Sequence, residues 1–183
     1  MRKIRLYDES ATVYHRRYQE IQSRKYQAVV NHLERGPLID VGIGTGIGLP
    51  FTARFPPVIG VDGSIEMLRI ASRELQKLSE NYNMIHLVCS SAEALPFRAA
   101  VVSTVLSITV LQNLSNIDLG FEELIRVAQI DGVVAVTVLA KTLSVSELKA
   151  RLNSSVAQLV EFELLANEDV GLIIRVIKKS VHR

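Results

Sequence analysis

"LIDVGIGTGIGLP", residues 38–50, sets four glycines, Gly42, Gly44, Gly46 and Gly48, on alternate positions behind an acidic residue, Asp40. The run up to the acid is short and apolar, as a buried strand is, and the residues after Gly48 open a helical pattern. A strand–glycine turn–helix unit lets a ligand approach bare backbone closely. Three ligand classes use such turns, and their registers differ. A P-loop needs G-x-x-x-x-G-K-[ST] to meet phosphates, but Leu49 and Pro50 stand where the lysine and hydroxyl belong. A dinucleotide turn needs G-x-G-x-x-G. Starting from Gly42, Gly44 or Gly46, its third glycine would be Ile47, Leu49 or Phe51. What remains is D-x-G-x-G-x-G, Asp40 to Gly46.

A second acid sharpens this. "PVIGVD" (57–62) reads as the next strand, and its Asp62 lies twenty residues after Gly42. In nucleotide-binding α/β folds an acid about 20 residues on, at the second strand's end, accepts from ribose hydroxyls. The rest of the chain alternates in the same way. "SIEMLRIASRELQKLSE" (64–80) is an amphipathic helix with Ser64 as N-cap and Ile65, Leu68, Ala71, Leu75 and Leu78 on one side. Strands follow at 83–91, 101–109 (which reads as fully buried) and 133–140. A helix is expected at 116–129, stopped by Gly132, and another opens on the capping box Ser144-x-x-Glu147. One or two helices fill 10–34, and residues 158–179 read as a β-hairpin. The fold class is therefore α/β: a doubly wound, mostly parallel seven-stranded sheet with helices on both faces and a C-terminal antiparallel hairpin.

Composition bounds the function. With 183 residues and 48% hydrophobic content, the chain suits one ordered domain. The expected organisation is a helical lid at 1–36, a ligand-binding βα core at 37–140, and a helix plus hairpin at 141–183. One cysteine, Cys89, excludes an internal disulfide, and no Cys/His cluster has metal spacing. A reducing, cytoplasmic setting fits. No apolar run reaches the roughly 20 residues of a membrane span, and the N-terminal stretch carries no signal-peptide pattern. Net charge is only +2, yet residues 1–35 hold eight Lys/Arg, including Arg16, Arg17, Arg24 and Lys25, against four acids. That face could meet an anionic partner such as RNA, or be a solvated helix surface.

The motif "DVGIGTG" resembles the first motif of class I S-adenosylmethionine-dependent methyltransferases, and "GVDGSIEML" resembles their second. "CSSAEALPF" (89–97) is similar to the "GDAE-x-LPF" segment of the type 11, or UbiE-like, branch. "VVSTVLSITVLQNL…FEELIRVAQIDGVV" follows that branch's later segments in order, with Val102-Ser103 for Phe-Asp, Gln112 for a frequent histidine, and Ile130-Asp131-Gly132 for Pro-Gly-Gly. The resemblance implies a Rossmann-like methyltransferase fold with S-adenosylmethionine as cofactor and no metal. It also implies roles. Gly42, Gly44 and Gly46 pass beside the methionine and ribose portions. Asp40 meets the ammonium group, and Asp62 with Gly63 meets the ribose. Ile65 and Met67 flank the adenine. Ser91 takes the place of an acid that receives the adenine amino group, with Ala92 and Glu93 beside it. Ser107 lines the methionine end. The N-terminal segment resembles a lid whose tyrosine reaches the donor, with Tyr7, Tyr14 and Tyr18 as candidates; His15 is the nearest candidate base.

The acceptor is less determined. No Asn/Asp-Pro-Pro-Tyr/Phe motif follows the fourth strand, where "SITVLQNL" stands, which demotes amine methylation of adenine or glutamine. A small-molecule acceptor is favoured, with RNA or protein reached through the basic N-terminal face or a partner subunit as the alternative, and a homodimer is compatible. A donor-binding regulatory subunit without turnover, an aminopropyltransferase or a nicotinamide oxidoreductase are the other readings.

Overall fold

β1 (Leu38–Val41) and β4 (Val102–Ile108) are buried at every residue. Strands covered on both faces need no alternation, and even their polar residues, Asp40, Ser103, Thr104 and Ser107, are buried. The computed structural model describes residues 2–78, 84–151, 157–165 and 169–177, with side chains described from residue 13 onward except at Val145 and 157–165. β1 pairs in parallel with β2 (Val58–Asp62) on one side and with β4 on the other. β2 continues to β3 (Ile85–Cys89), and β4 to β5 (Ala128–Leu139), both parallel. β7 (Asp169–Val176) lies antiparallel to β5, and β6 (Ala157–Leu165) closes the edge antiparallel to β7. The order is β3-β2-β1-β4-β5-β7-β6. Strand order reverses between β1 and β4, and the crevice beyond their carboxyl ends is where such sheets hold ligands.

Helices cover both faces. One core joins Ile39 and Val136 of the sheet to Phe121 and Leu124 of α4 (Ile117–Val127) and Leu148 of α5 (Val145–Ala150). The other joins Leu38, Val58 and Leu106 to Tyr26 and Val29 of α1 (Arg2–Val29) and Leu68 of α3 (Ile65–Lys77). Alternate residues of β1 thus feed opposite cores, which is the period-two geometry of a strand. No described helix is long and apolar enough to cross a membrane.

Local signals place most elements, with corrections. α1 is one helix of 28 residues, followed by a 3-10 turn at Val30–His32. The helix after the glycine turn, α2 (Leu49–Thr52), is a single turn with Pro50 in its first positions. Ser64 caps α3 as expected, accepting from Met67 N at 3.2 Å. That phase buries Met67, Leu68 and Ala71 and leaves Ile65 48% exposed, so Ile65 is not on the inner face. α4 ends at Val127 and β5 begins at once, earlier than the expected 133. The left-handed residue there is Asp131 (φ 64°), not Gly132. Gly132 is needed for close approach instead: a Cβ would sit 2.8 Å from the Gln129 carbonyl and 3.0 Å from that of Ser103. The hairpin's strands pair as expected; of the expected turn "ANEDVG" (166–171), residues 166–168 lie outside the described residues and Asp169–Gly171 belong to β7.

The capping box of α5 is complete: Ser144 Oγ accepts from Glu147 N and the Glu147 carboxylate accepts from Ser144 N at 2.7 Å. Ser144→Ala should cost about 1 kcal/mol, read as a lower urea midpoint at unchanged slope. An unchanged midpoint would show that α5 adds nothing to the cooperative unit.

Candidate functional site

The glycine turn leaves β1 through three left-handed residues, Gly42 (φ 79°), Gly44 (φ 57°) and Gly46 (φ 81°). Side chains avoid that region, and the alternating glycines meet the requirement. Gly42 N and Ile43 N both donate to the Val61 carbonyl, at 2.7 and 3.0 Å, which pins the turn to β2. A Cβ at Gly42 would lie 2.2 Å from Val110, two residues past the end of β4. The turn is therefore squeezed between the ends of β2 and β4, with a cleft above it.

Asp62 stands at the mouth of this cleft. Its two carboxylate oxygens accept from Gly44 N at 2.9 Å and Ser64 N at 2.8 Å. Gly63 and Met67 continue the wall from β2 into α3, and Ser91 and Ala92 supply it after β3. Ser91 Oγ accepts from Glu93 N at 3.1 Å. From α1, Tyr14 reaches the cleft; its hydroxyl accepts from Gln22 Nε2 at 3.1 Å, and its ring lies 4.6 Å from that of Tyr18. Tyr7 lies where side chains are not described.

Five expected site residues sit elsewhere. Asp40 is fully buried and accepts from Tyr26 Oη at 2.9 and 3.2 Å. Burial pushes its carboxyl up to about 7; the Tyr26 bond opposes that rise and the Asp62 charge adds to it. The Tyr26 hydroxyl is itself pushed well above its ordinary value, by burial first and then by Asp40. Asp40 thus anchors α1 to the sheet rather than lining the cleft. Gly46 packs against α3, where a Cβ would meet Leu49 at 2.7 Å and the Ala71 backbone at 3.1 Å. Glu93 accepts from Asn116 N at 2.5 Å, turned toward the start of α4. Ser107 is buried, with no hydrogen-bond partner for its hydroxyl among the described residues. His15 Nδ1 is 2.9 Å from Thr45 Oγ1, so it ties the lid helix to the glycine turn.

Sequence reasoning missed the third wall. Thr109, Val110, Asn113 and Leu114, all after β4, line the cleft. It also misplaced Lys25 on a solvated basic face. Lys25 is 4% exposed, and its ammonium bonds Asp169 Oδ2 and Thr109 Oγ1, each at 2.9 Å. The available signal was spacing: Lys25, Tyr26 and Val29 share the side of α1 that packs inward. Among the described residues no cluster of His, Cys, Asp and Glu could hold a metal ion.

The site can therefore offer a half-exposed carboxylate, bare glycine backbone, an apolar thioether wall and small residues after β3. These suit a neutral ribose flanked by a flat base better than a phosphate chain. Residues 39–136 match the family model described as a methyltransferase domain. The chain is 27% identical over 139 residues to malonyl-[acyl-carrier protein] O-methyltransferase of Methylovorus sp. (strain MP688). That match covers 73% of this chain and 47% of that protein, so the chain spans about half the length of the curated relative it matches. Among solved structures, an S-adenosylmethionine-dependent methyltransferase from Aquifex aeolicus superposes with TM-score 0.73 at 19% identity, covering 88% of this chain and 93% of that one. A chain from the complex of the Haloferax volcanii Trm112 methyltransferase activator with a methyltransferase superposes with TM-score 0.78 at 15% identity, covering 94% and 97%.

Proposed function

The chain belongs to the methyltransferase domain family, whose donor is S-adenosylmethionine, and from that premise we propose that it methylates a small-molecule acceptor in the cleft above the Gly42–Gly46 turn. The donor supplies a methyl group on a positively charged sulfur, which makes a good leaving group. The protein's share is alignment and exclusion of water. In this reading Asp62 accepts from the two ribose hydroxyls, Gly42 and Gly44 pass beside the methionine and ribose, Met67 covers the base, and Ser91 and Ala92 meet its edge. The observation that carries this assignment is Asp62, whose carboxylate is oriented by Gly44 N and Ser64 N at the cleft. A Cβ on Gly44 would meet nothing nearer than the Gly42 carbonyl at 3.9 Å, so the backbone there is open to a ligand.

A second reading has its own support. The Trm112 complex is a structural neighbour, and a macromolecular acceptor held with a partner subunit is the alternative to a small molecule. Calorimetric titration with S-adenosylmethionine, S-adenosylhomocysteine and NAD tests the donor: the first two bind and NAD does not. Labelled methyl transfer into fractionated small-molecule, RNA and protein extracts then separates the acceptor classes. Incorporation into RNA or protein alone would overturn the small-molecule reading.

A further inference from the structure

Residues 90–101, between β3 and β4, form no helix or strand. Yet Ser91 and Ala92, within them, line the cleft where the base edge is placed in the reading above. Neither residue carries a charge, and the Ser91 hydroxyl already accepts from Glu93 N. Recognition by such a wall depends on where its backbone stands, and a segment without a ladder of its own has to be held from outside. At its front, Ser90 N donates to the Asp62 carbonyl at 3.1 Å. Among the described residues, every other hydrogen bond that leaves the segment goes to α4 or to Asn116, its cap.

Two side chains of α4 make the central bonds. Glu123 Oε2 accepts from Leu95 N at 2.7 Å. Arg126 Nη2 donates to the Leu95 carbonyl at 3.2 Å, and its Nη1 to the Phe97 carbonyl at 2.8 Å. The pair is also joined to itself, with Arg126 Nε and Nη2 donating to the two Glu123 oxygens. The bond from Arg126 holds the Glu123 carboxyl below its ordinary value, so it stays charged. Leu95 is where this hold is concentrated: its N–H and carbonyl are both taken, and its buried side chain shares a core with Phe121 and Leu124 of α4. Bonds inside the segment carry the hold forward to the cleft. Ala94 N donates to the Ser91 carbonyl at 3.2 Å, and Ser90 Oγ to the Ala94 carbonyl at 3.1 Å.

A part-exposed ion pair on one helix adds little to stability by itself. Here its remaining hydrogen-bonding capacity is spent on three backbone groups of an irregular segment that leads to the cleft. We propose that Glu123 and Arg126 are positioning residues for the donor's base, acting through Leu95 and Phe97 on Ser91 and Ala92, and that the preference for adenine over hypoxanthine passes through this pair. This rests on the donor assignment above. The guanidinium suits the task because its N–H groups are fixed in one plane and bridge two carbonyls and a carboxylate together. A lysine ammonium is a single point and cannot keep that spacing.

S-adenosylhomocysteine and S-inosylhomocysteine differ only at the edge of the base, and their calorimetric titration into the full chain tests the proposal. The unmodified protein binds the adenosyl compound about tenfold more tightly or better, the worth of a hydrogen bond or more at that edge. Arg126→Leu narrows this preference to about threefold or less, chiefly by weakening S-adenosylhomocysteine. Arg126→Lys keeps the charge and the stem and still cuts the preference about threefold, so it carries the measurement where Arg126→Leu does not fold. Ser144→Ala, which lowers stability at α5 and touches none of these bonds, keeps the full preference. That separates positioning from a general loss of stability. No preference in the unmodified protein, a full preference in the Arg126 variants, or an equal loss in Ser144→Ala would each overturn the inference. Failure of both compounds to bind the unmodified protein would instead overturn the donor assignment.

Discussion

Asp62→Ala lowers affinity for S-adenosylhomocysteine by about 100-fold. Two hydroxyl-to-carboxylate bonds are at stake, and hydrogen bonds to a charged group are worth about 1.5–3 kcal/mol each. The loss also has a structural part. Without the carboxylate, Gly44 N and Ser64 N lose their acceptor, and the glycine turn is no longer tied to the start of α3. Asp62→Asn separates the two contributions, because its amide oxygen still accepts one backbone bond but carries no charge. It should retain most of the melting temperature and still lose at least tenfold in affinity. Calorimetry that finds donor affinity unchanged in Asp62→Ala would remove Asp62 from the ribose site.

Asp40 governs how stability responds to pH. Its carboxyl titrates near 3.8 when exposed and at about 7 in the folded protein, chiefly because it is buried. Between these values the folded state holds a proton that the unfolded state has released. Stability contributed by this group is full below about pH 4 and is lost as pH rises through about 7. A shift of this size corresponds to a few kcal/mol at pH 8. Asp40→Asn carries no such charge and can still accept from Tyr26. The expected outcome is a variant more stable than the parent at pH 8 and similar to it at pH 4.5, measured by urea unfolding at both pH values. Parallel stability profiles for the two proteins would show that Asp40 ionises freely in the fold.

Much of the architecture was legible because its signals are local. Ser64 and Ser144 mark helix starts through bonds that span three residues, and "LIDVG" and "VSTVLSI" read as strands from short β-branched and apolar runs bounded by turn residues. The same holds for the floor of the cleft, since spacing on consecutive strands brings Gly42 and Gly44, after β1, beside Asp62 at the end of β2. The failures come from longer reach. Ile65 and Met67 were separated only once the cap at Ser64 set the helical phase. Lys25 carries the composition of a surface residue, and only its partner Asp169, almost a whole chain away, explains its burial. Asp40 fits a ligand motif, but Tyr26 from α1 occupies its oxygens. Thr109 gives no sign in sequence of its left-handed backbone (φ 62°), whose amide bonds Thr137 and whose carbonyl bonds the Gln112 and Asn113 side chains.

The pairing of Lys25 with Asp169 also bears on the order in which the molecule can be assembled during synthesis. Lys25 leaves the ribosome long before Asp169. Until β7 is made and laid beside β5, the ammonium has no countercharge, and burying it would be costly. The inner face of α1 therefore has to wait, exposed to solvent or to chaperones, while the sheet from β1 to β5 collects behind it. α1 is translated before every strand of the sheet yet settles only after β7, and the cleft wall that it provides through Tyr14 is completed only then.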